Sequence, residues 1–114
     1  MELVISPLND SVQLVKLTGR LDAKGITEID QDLTVSLVAA GKSAIIDLSD
    51  VTFLASIGMR LLISAARGIT AKNKLLVLLS PQPLVREALV TAGFDALIPI
   101  HDDLESASLA LSAA

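Results

Sequence analysis

The chain contains no cysteine, tryptophan or tyrosine, and only one histidine and two phenylalanines among its 114 residues. Without thiols there is no disulfide and no cysteine nucleophile. A lone imidazole cannot furnish the ligand set of a structural zinc site. Phe53 and Phe94 are too few to build a base-stacking platform. Basic charge is also scarce: nine lysines and arginines, scattered along the chain, face thirteen acids and leave a net charge of −4. That mean field repels nucleic acid, and no basic stripe opposes it. No charge-free apolar run reaches the roughly 18 residues of a membrane span; Arg60 and Arg67 interrupt the longest stretch. The opening MELVISPLNDSV has neither a basic region ahead of an apolar stretch nor a small-residue cleavage site, so it does not read as a secretory signal. No glycine-rich loop precedes a lysine as in a P-loop. The expectation is a soluble cytoplasmic domain that needs no metal or cofactor and binds neither nucleic acid nor membrane.

What the chain has in abundance is aliphatic residues, in short runs. At 52% apolar it is too hydrophobic for a disordered tail, and its length suits one domain, residues 1–114, around a single core. Val12–Leu17 alternates as a strand does, and Leu3–Ile5 pairs with it across the turn-rich Ser6–Asp10. Ala44–Leu48, Leu75–Leu79 and Ala96–Ile100 are continuous apolar runs, suited to strands covered on both faces, with Pro99 placing the last at a sheet edge. Between them the period lengthens. Ile26, Ile29, Leu33, Leu37 and Ala40 form one helical face that Gly41 ends. Leu61, Leu62, Ala65, Ala66 and Ile69 form a second, closed by Lys72–Lys74. Leu84, Val85, Ala88 and Leu89 form a third, between Pro81/Pro83 and Gly93. Asp102 and Asp103 open a fourth through Leu104, Leu109 and Leu111. The predicted order is β-β-α-β-α-β-α-β-α, an α/β domain with a mostly parallel, mixed central sheet.

Ser56 lies where the third strand hands over to the second helix. The ordinary reading is an N-cap, whose hydroxyl accepts an N–H two or three residues on. Three features pull against it. Ile57 and Met59 put apolar side chains in the first turn. Gly58 costs the helix about 1 kcal/mol relative to alanine. And βα turns at strand C-terminal ends are where open α/β sheets place functional groups. An enzyme reading has little to build on. Leu54 holds the position where a nucleophile elbow has glycine, and His101 reads as a partly exposed residue near a helix start. Asp30 and Asp32 do not share a helix face. Asp47 is expected to bond backbone groups, and Asp50 to shape a turn.

Residues 44–62, AIIDLSDVTFLASIGMRLL, resemble the signature of STAS domains, the sulfate transporter and anti-sigma factor antagonist family. Leu17–Asp22 (LTGRLD) resembles the family's L-x-G-x-L-D, and Ser80–Phe94 (SPQPLVREALVTAGF) its third helix, so the three matches together cover essentially the whole chain. The resemblance implies the family's fold and no enzymatic activity. It puts the family's phosphorylated serine on Ser56 and its partner-binding surface on Gly19, Arg20, Asp22, Ala55, Ile57, Gly58, Met59 and Arg60. Ala55 stands where the family usually carries an acid. The implied function is an anti-sigma factor antagonist. Unphosphorylated, it binds an anti-sigma factor that is also a serine kinase of the histidine-kinase-like ATPase class and so releases a sigma factor; a serine phosphatase restores it after phosphorylation. A monomer or weak dimer is expected. The alternative is a STAS scaffold or regulatory subunit in a stress-signalling assembly. Arg60 and Arg67, two helical turns apart, either meet an acidic partner or simply face solvent.

Overall fold

The computed structural model describes residues 1–112, which form one α/β domain. Strands β1 (Glu2–Pro7) and β2 (Val12–Leu21) make an antiparallel hairpin. Its connection is closed by Leu8 N–H donating to the Val12 carbonyl at 2.9 Å and by Ser11 N–H donating to Asn9 Oδ1 at 2.8 Å. There follow α1 (Ala23–Ala40), β3 (Ser43–Leu54), α2 (Ser56–Thr70), β4 (Leu76–Leu79), α3 (Pro83–Thr91), a 3-10 turn (Phe94–Ala96), β5 (Ile100–His101) and α4 (Leu104–Ser112). The sheet runs β1-β2-β3-β4-β5, with every pair after the first parallel. The predicted element order is the observed one.

Strand alternation divides the core. Leu76 and Leu78 of β4 and Ala44, Ile46 and Leu48 of β3 face one side, packed with α1, α2 and α3. Val77, Leu79 and Ile45 face the other, where Ala107 and Leu111 of α4 cover them together with Val12. Helix α1 ends as expected at Gly41, which takes the left-handed conformation (φ 62°) and donates its N–H to the Val38 carbonyl.

Several boundaries differ from the sequence reading. β3 continues six residues past Leu48, and β2 four past Leu17, because polar residues stay in the ladder: Thr18 pairs with Asp50, Gly19 with Val51, Arg20 with Phe53 and Leu21 with Leu54, across two register shifts. Gly19–Leu21 is therefore strand, and Asp50 is a strand residue ion-paired with Lys16 at 3.1 Å rather than a turn former. Asp47 does bond backbone, accepting Ser49 N–H at 2.9 Å. The last strand lies at Ile100–His101, not Ala96–Ile100. Within that run Ile98 plugs the core beside the 3-10 turn's Phe94, and Pro99, lacking an N–H, contributes only its carbonyl to Leu78. His101 is thus a strand residue. In α3 only Val85 and Leu89 of the predicted face are fully buried; Leu84 points outward, 76% exposed. In α4 the buried pair is Ala107 and Leu111, with Leu109 exposed.

Candidate functional site

The C-terminal ends of β2 and β3 deliver two helix starts side by side. At the first, Asp22 is the N-cap of α1: its Oδ1 accepts the Gly25 N–H at 2.9 Å, and its Oδ2 accepts from Arg20 Nε at 3.2 Å. The Gly25 amide first and the Arg20 side chain second hold the Asp22 carboxyl below the usual carboxylate range. The Arg20 guanidinium also lies over the Phe53 ring, 4.3 Å from its centroid. Arg20 and Phe53 meet because they are register partners.

At the second start the pattern repeats with the cap removed. Ala55 occupies the N-cap position, extended at φ −89° and ψ 166°, and has no side-chain acceptor. Its N–H donates to the Leu21 carbonyl at 3.0 Å, which ties the start of α2 to the end of β2. Ser56 is therefore the first residue inside the helix and not its cap, which corrects the ordinary reading. Among the described residues the Ser56 hydroxyl makes no hydrogen bond, and the Ser56 and Ile57 amides donate to no backbone carbonyl. The Gly58 and Met59 amides both return to the Ala55 carbonyl.

Gly25 and Gly58 hold the third position of their helices, and both are buried for the same reason. A Cβ on Gly25 would overlap the Arg20 carbonyl oxygen; one on Gly58 would lie 2.8 Å from the Leu21 carbonyl oxygen and 2.8 Å from Leu54 Cδ1. Gly58 thus permits close approach by the domain's own β2 and does not itself present a surface. The other residues singled out from the sequence are brought together here. Ser56, Ile57, Arg20 and Arg60 are exposed; Gly19, Asp22 and Ala55 are half-buried; Met59 packs partly onto the core. Gly19 needs its glycine, with φ at +121°, and its carbonyl accepts the Thr52 hydroxyl.

Two exposed apolar residues stand differently from the sequence reading. Phe53 is 42% exposed and Ile57 40%, apolar residues three positions before and one after the serine. The signal for Phe53 was register: placing Arg20 opposite Phe53 requires extending both strands beyond their apolar runs. Leu84 lies in the first turn of α3, whose start is tied to β3 by Gln82 Nε2 donating to the Ser49 carbonyl at 2.8 Å. Spacing alone puts Leu84 on the core face, but one residue after a helix-starting proline it points outward. Among the described residues no three metal-ligating side chains gather, and no helix is long and apolar enough to cross a membrane.

The sequence model of the STAS domain matches residues 4–107. BtrV of Bordetella bronchiseptica, whose name places it among anti-sigma factor antagonists, is 23% identical over 105 residues, covering 92% of this chain and 90% of its own. Among solved structures, an anti-sigma factor antagonist from Mycobacterium paratuberculosis superposes with a TM-score of 0.86 at 23% identity, over 97% of this chain and 93% of that one. The Bacillus cell fate determinant SpoIIAA is similar in both its forms. The unphosphorylated anti-sigma factor antagonist has a TM-score of 0.79 at 20% identity, with 95% and 93% covered. The phosphorylated form gives 0.71 at 17%, with 96% and 99% covered.

Proposed function

We propose that this chain, which belongs to the STAS domain family, is an anti-sigma factor antagonist switched by phosphorylation of Ser56. One observation carries the reading: Ser56 is exposed at the first position of α2 with its hydroxyl unbonded, so the domain has no structural use for it. The names of BtrV and of the solved relatives support the class of function, and SpoIIAA, solved in phosphorylated and unphosphorylated forms, supports the modification.

The unphosphorylated edge offers Phe53, Ile57 and the exposed part of Met59 to a partner, with Arg20 and Arg60 at its margins. The partner in this reading is an anti-sigma factor with serine kinase activity, met in the cytoplasm; capturing it frees a sigma factor. Transfer of the ATP γ-phosphoryl group forms the Oγ–P bond at Ser56 and releases ADP, the hydroxyl proton passing to a base on the kinase. The product carries about −1.5 to −2 charges. For the domain this is benign, because the unpaired Ser56 and Ile57 amides and the positive end of α2 lie beside it. For a docked partner it is not: a dianion is forced against the apolar groups that cover Ile57 and Phe53, and its hydration is lost. A penalty of about 4 kcal/mol weakens binding roughly a thousandfold. A serine phosphatase reverses the switch.

Calorimetric titration of a cognate anti-sigma kinase tests this. Ser56→Ala should bind like wild type, and Ser56→Asp should remain folded and bind far more weakly. Equal affinity of Ser56→Asp and wild type would defeat the proposal. So would mass spectrometry that locates the kinase's phosphate at another residue.

A further inference from the structure

The C-terminal half of α2 forms one wall of a groove of about 460 Å³ that the switch does not use. Ile63, Ala66, Thr70 and Ala71 line it on the helix, and Leu97 and Ile98, after the 3-10 turn, face them. Ile98 is buried, whereas Leu97 is 66% exposed. The volume lies within the roughly 300–1,000 Å³ of pockets that enclose ligands. Arg67 stands at its rim.

Charge says what fits. Helix α2 carries two arginines and no carboxylate in a protein of net charge −4. Among the described residues neither Arg60 nor Arg67 forms an ion pair, whereas Arg20, Arg86 and Lys16 each do. Arg67 complements the carbonyl end of its own helix, but Arg60, in the second turn, gains nothing from the dipole. The two lie seven residues apart, about 10 Å along one stripe that leads from Ser56 into the groove.

We infer that this groove is a second docking surface, which takes an acidic amphipathic segment of a partner protein. An apolar side chain of that segment lies over Ile63, Ala66 and Leu97, a carboxylate meets Arg67, and a second, two turns away, meets Arg60. Arg67 is eleven residues from Ser56, about 16 Å along the helix and beyond the screening length of about 8 Å at physiological salt. Arg60 is only four residues from Ser56, about 6 Å and within that length, so a phosphate there weakens the Arg60 contact but leaves the Arg67 contact and the groove, and a partner stays tethered while the switch releases its grip.

The probe is a synthetic helical peptide with leucines at i, i+3 and i+7 and glutamates two turns apart, beside a twin with lysine at each glutamate position. Backbone amide shifts of the isotope-labelled full chain report where it binds. The expected result is saturable shifts at Ile63, Ala66, Ala71 and Leu97 with the acidic peptide only. They should weaken at least tenfold in Arg67→Glu, weaken likewise in the surface variant Leu97→Ser, and persist with a smaller loss of affinity in Ser56→Asp, whose charge reaches Arg60 but not Arg67. Absence of saturable shifts, equal binding of the lysine twin, or complete loss of binding in Ser56→Asp would overturn the inference. Groove shifts that grow with protein concentration in the absence of peptide would instead assign the groove to a second copy of the chain, and would overturn it too. The kinase titration can fail without affecting any of these readouts.

Discussion

Ala55→Asp should stabilise the protein, and the amount follows from a comparison the molecule itself provides. Helix α1 has an aspartate cap whose Oδ1 accepts the amide three residues on at 2.9 Å; α4 has another, Asp103, which accepts the Ser106 N–H at 2.7 Å. Helix α2 has the same extended N-cap backbone but a methyl group in place of the acceptor. Supplying that acceptor is worth about 1 kcal/mol, and its negative charge at the helix start adds about 0.3–1 kcal/mol at low salt. A chain of 114 residues unfolds with about 0.24 kcal/mol per kelvin of entropy, so Tm should rise by about 5–8 °C. Ala55→Asn separates the two contributions, since it caps without charge. Its gain should be the smaller and nearly independent of pH. The aspartate's excess should disappear on acidification, because a carboxyl held by helix amides titrates below its unfolded value and loses its advantage as pH falls through the folded pKa. Scanning calorimetry at about pH 7 and about pH 3 reads both. If Ala55→Asp melts at or below wild type, the first-turn amides are already satisfied, and the account of Ser56 as an unencumbered acceptor position fails with it.

Gly58→Ala should destabilise: overpacking against the Leu21 carbonyl costs about 1–3 kcal/mol, and the helical preference for alanine returns at most about 1; urea denaturation checks it, and a gain in stability would contradict the packing. Asp22→Asn keeps the cap and removes the charge. Because the Asp22 carboxyl is lowered by the Gly25 amide and Arg20, its contribution is complete above about pH 4, its unfolded-state range, and is lost as pH falls through the lower folded value. Wild type should therefore lose stability below about pH 4 more steeply than Asp22→Asn, and parallel profiles would count against it. Leu62→Ala, at a fully buried site of α2, should cost about 2–5 kcal/mol. Lys16→Ala breaks an ion pair whose two side chains are about half exposed, and should change stability by less than about 1 kcal/mol.

Most of the architecture could be read from residue order. Isoleucines and leucines at helical spacing before Gly41, and continuous apolar runs at Ala44–Leu48 and Leu75–Leu79, specify helices and buried strands because burial of aliphatic surface dominates their local choice. The serine was legible for the same reason: a polar residue followed by Ile-Gly-Met breaks a pattern that is otherwise core. Its position inside the helix was not. Whether a residue is the cap or the first helical residue depends on one backbone torsion, and Ala55 takes the extended conformation because its N–H is held by the Leu21 carbonyl across the sheet.

The residues around the serine divide along the same line. The strand halves that carry Arg20 and Phe53 look like loops in sequence, because polar side chains hide a ladder that only pairing with a neighbour reveals. Gly58 reads as an opening for a visitor until the Leu21 carbonyl is found beneath it. Leu84 and Leu97 read as core until helix phase and a proline turn them outward. Composition and periodicity determined by themselves the class of fold, the order of its elements and the place of the hydroxyl, since those follow from interactions between near neighbours and from the bulk preference of side chains for water or oil. Which groups stand around that hydroxyl, and which of its amides are left free, was decided only in three dimensions, where residues thirty positions apart share one sheet edge.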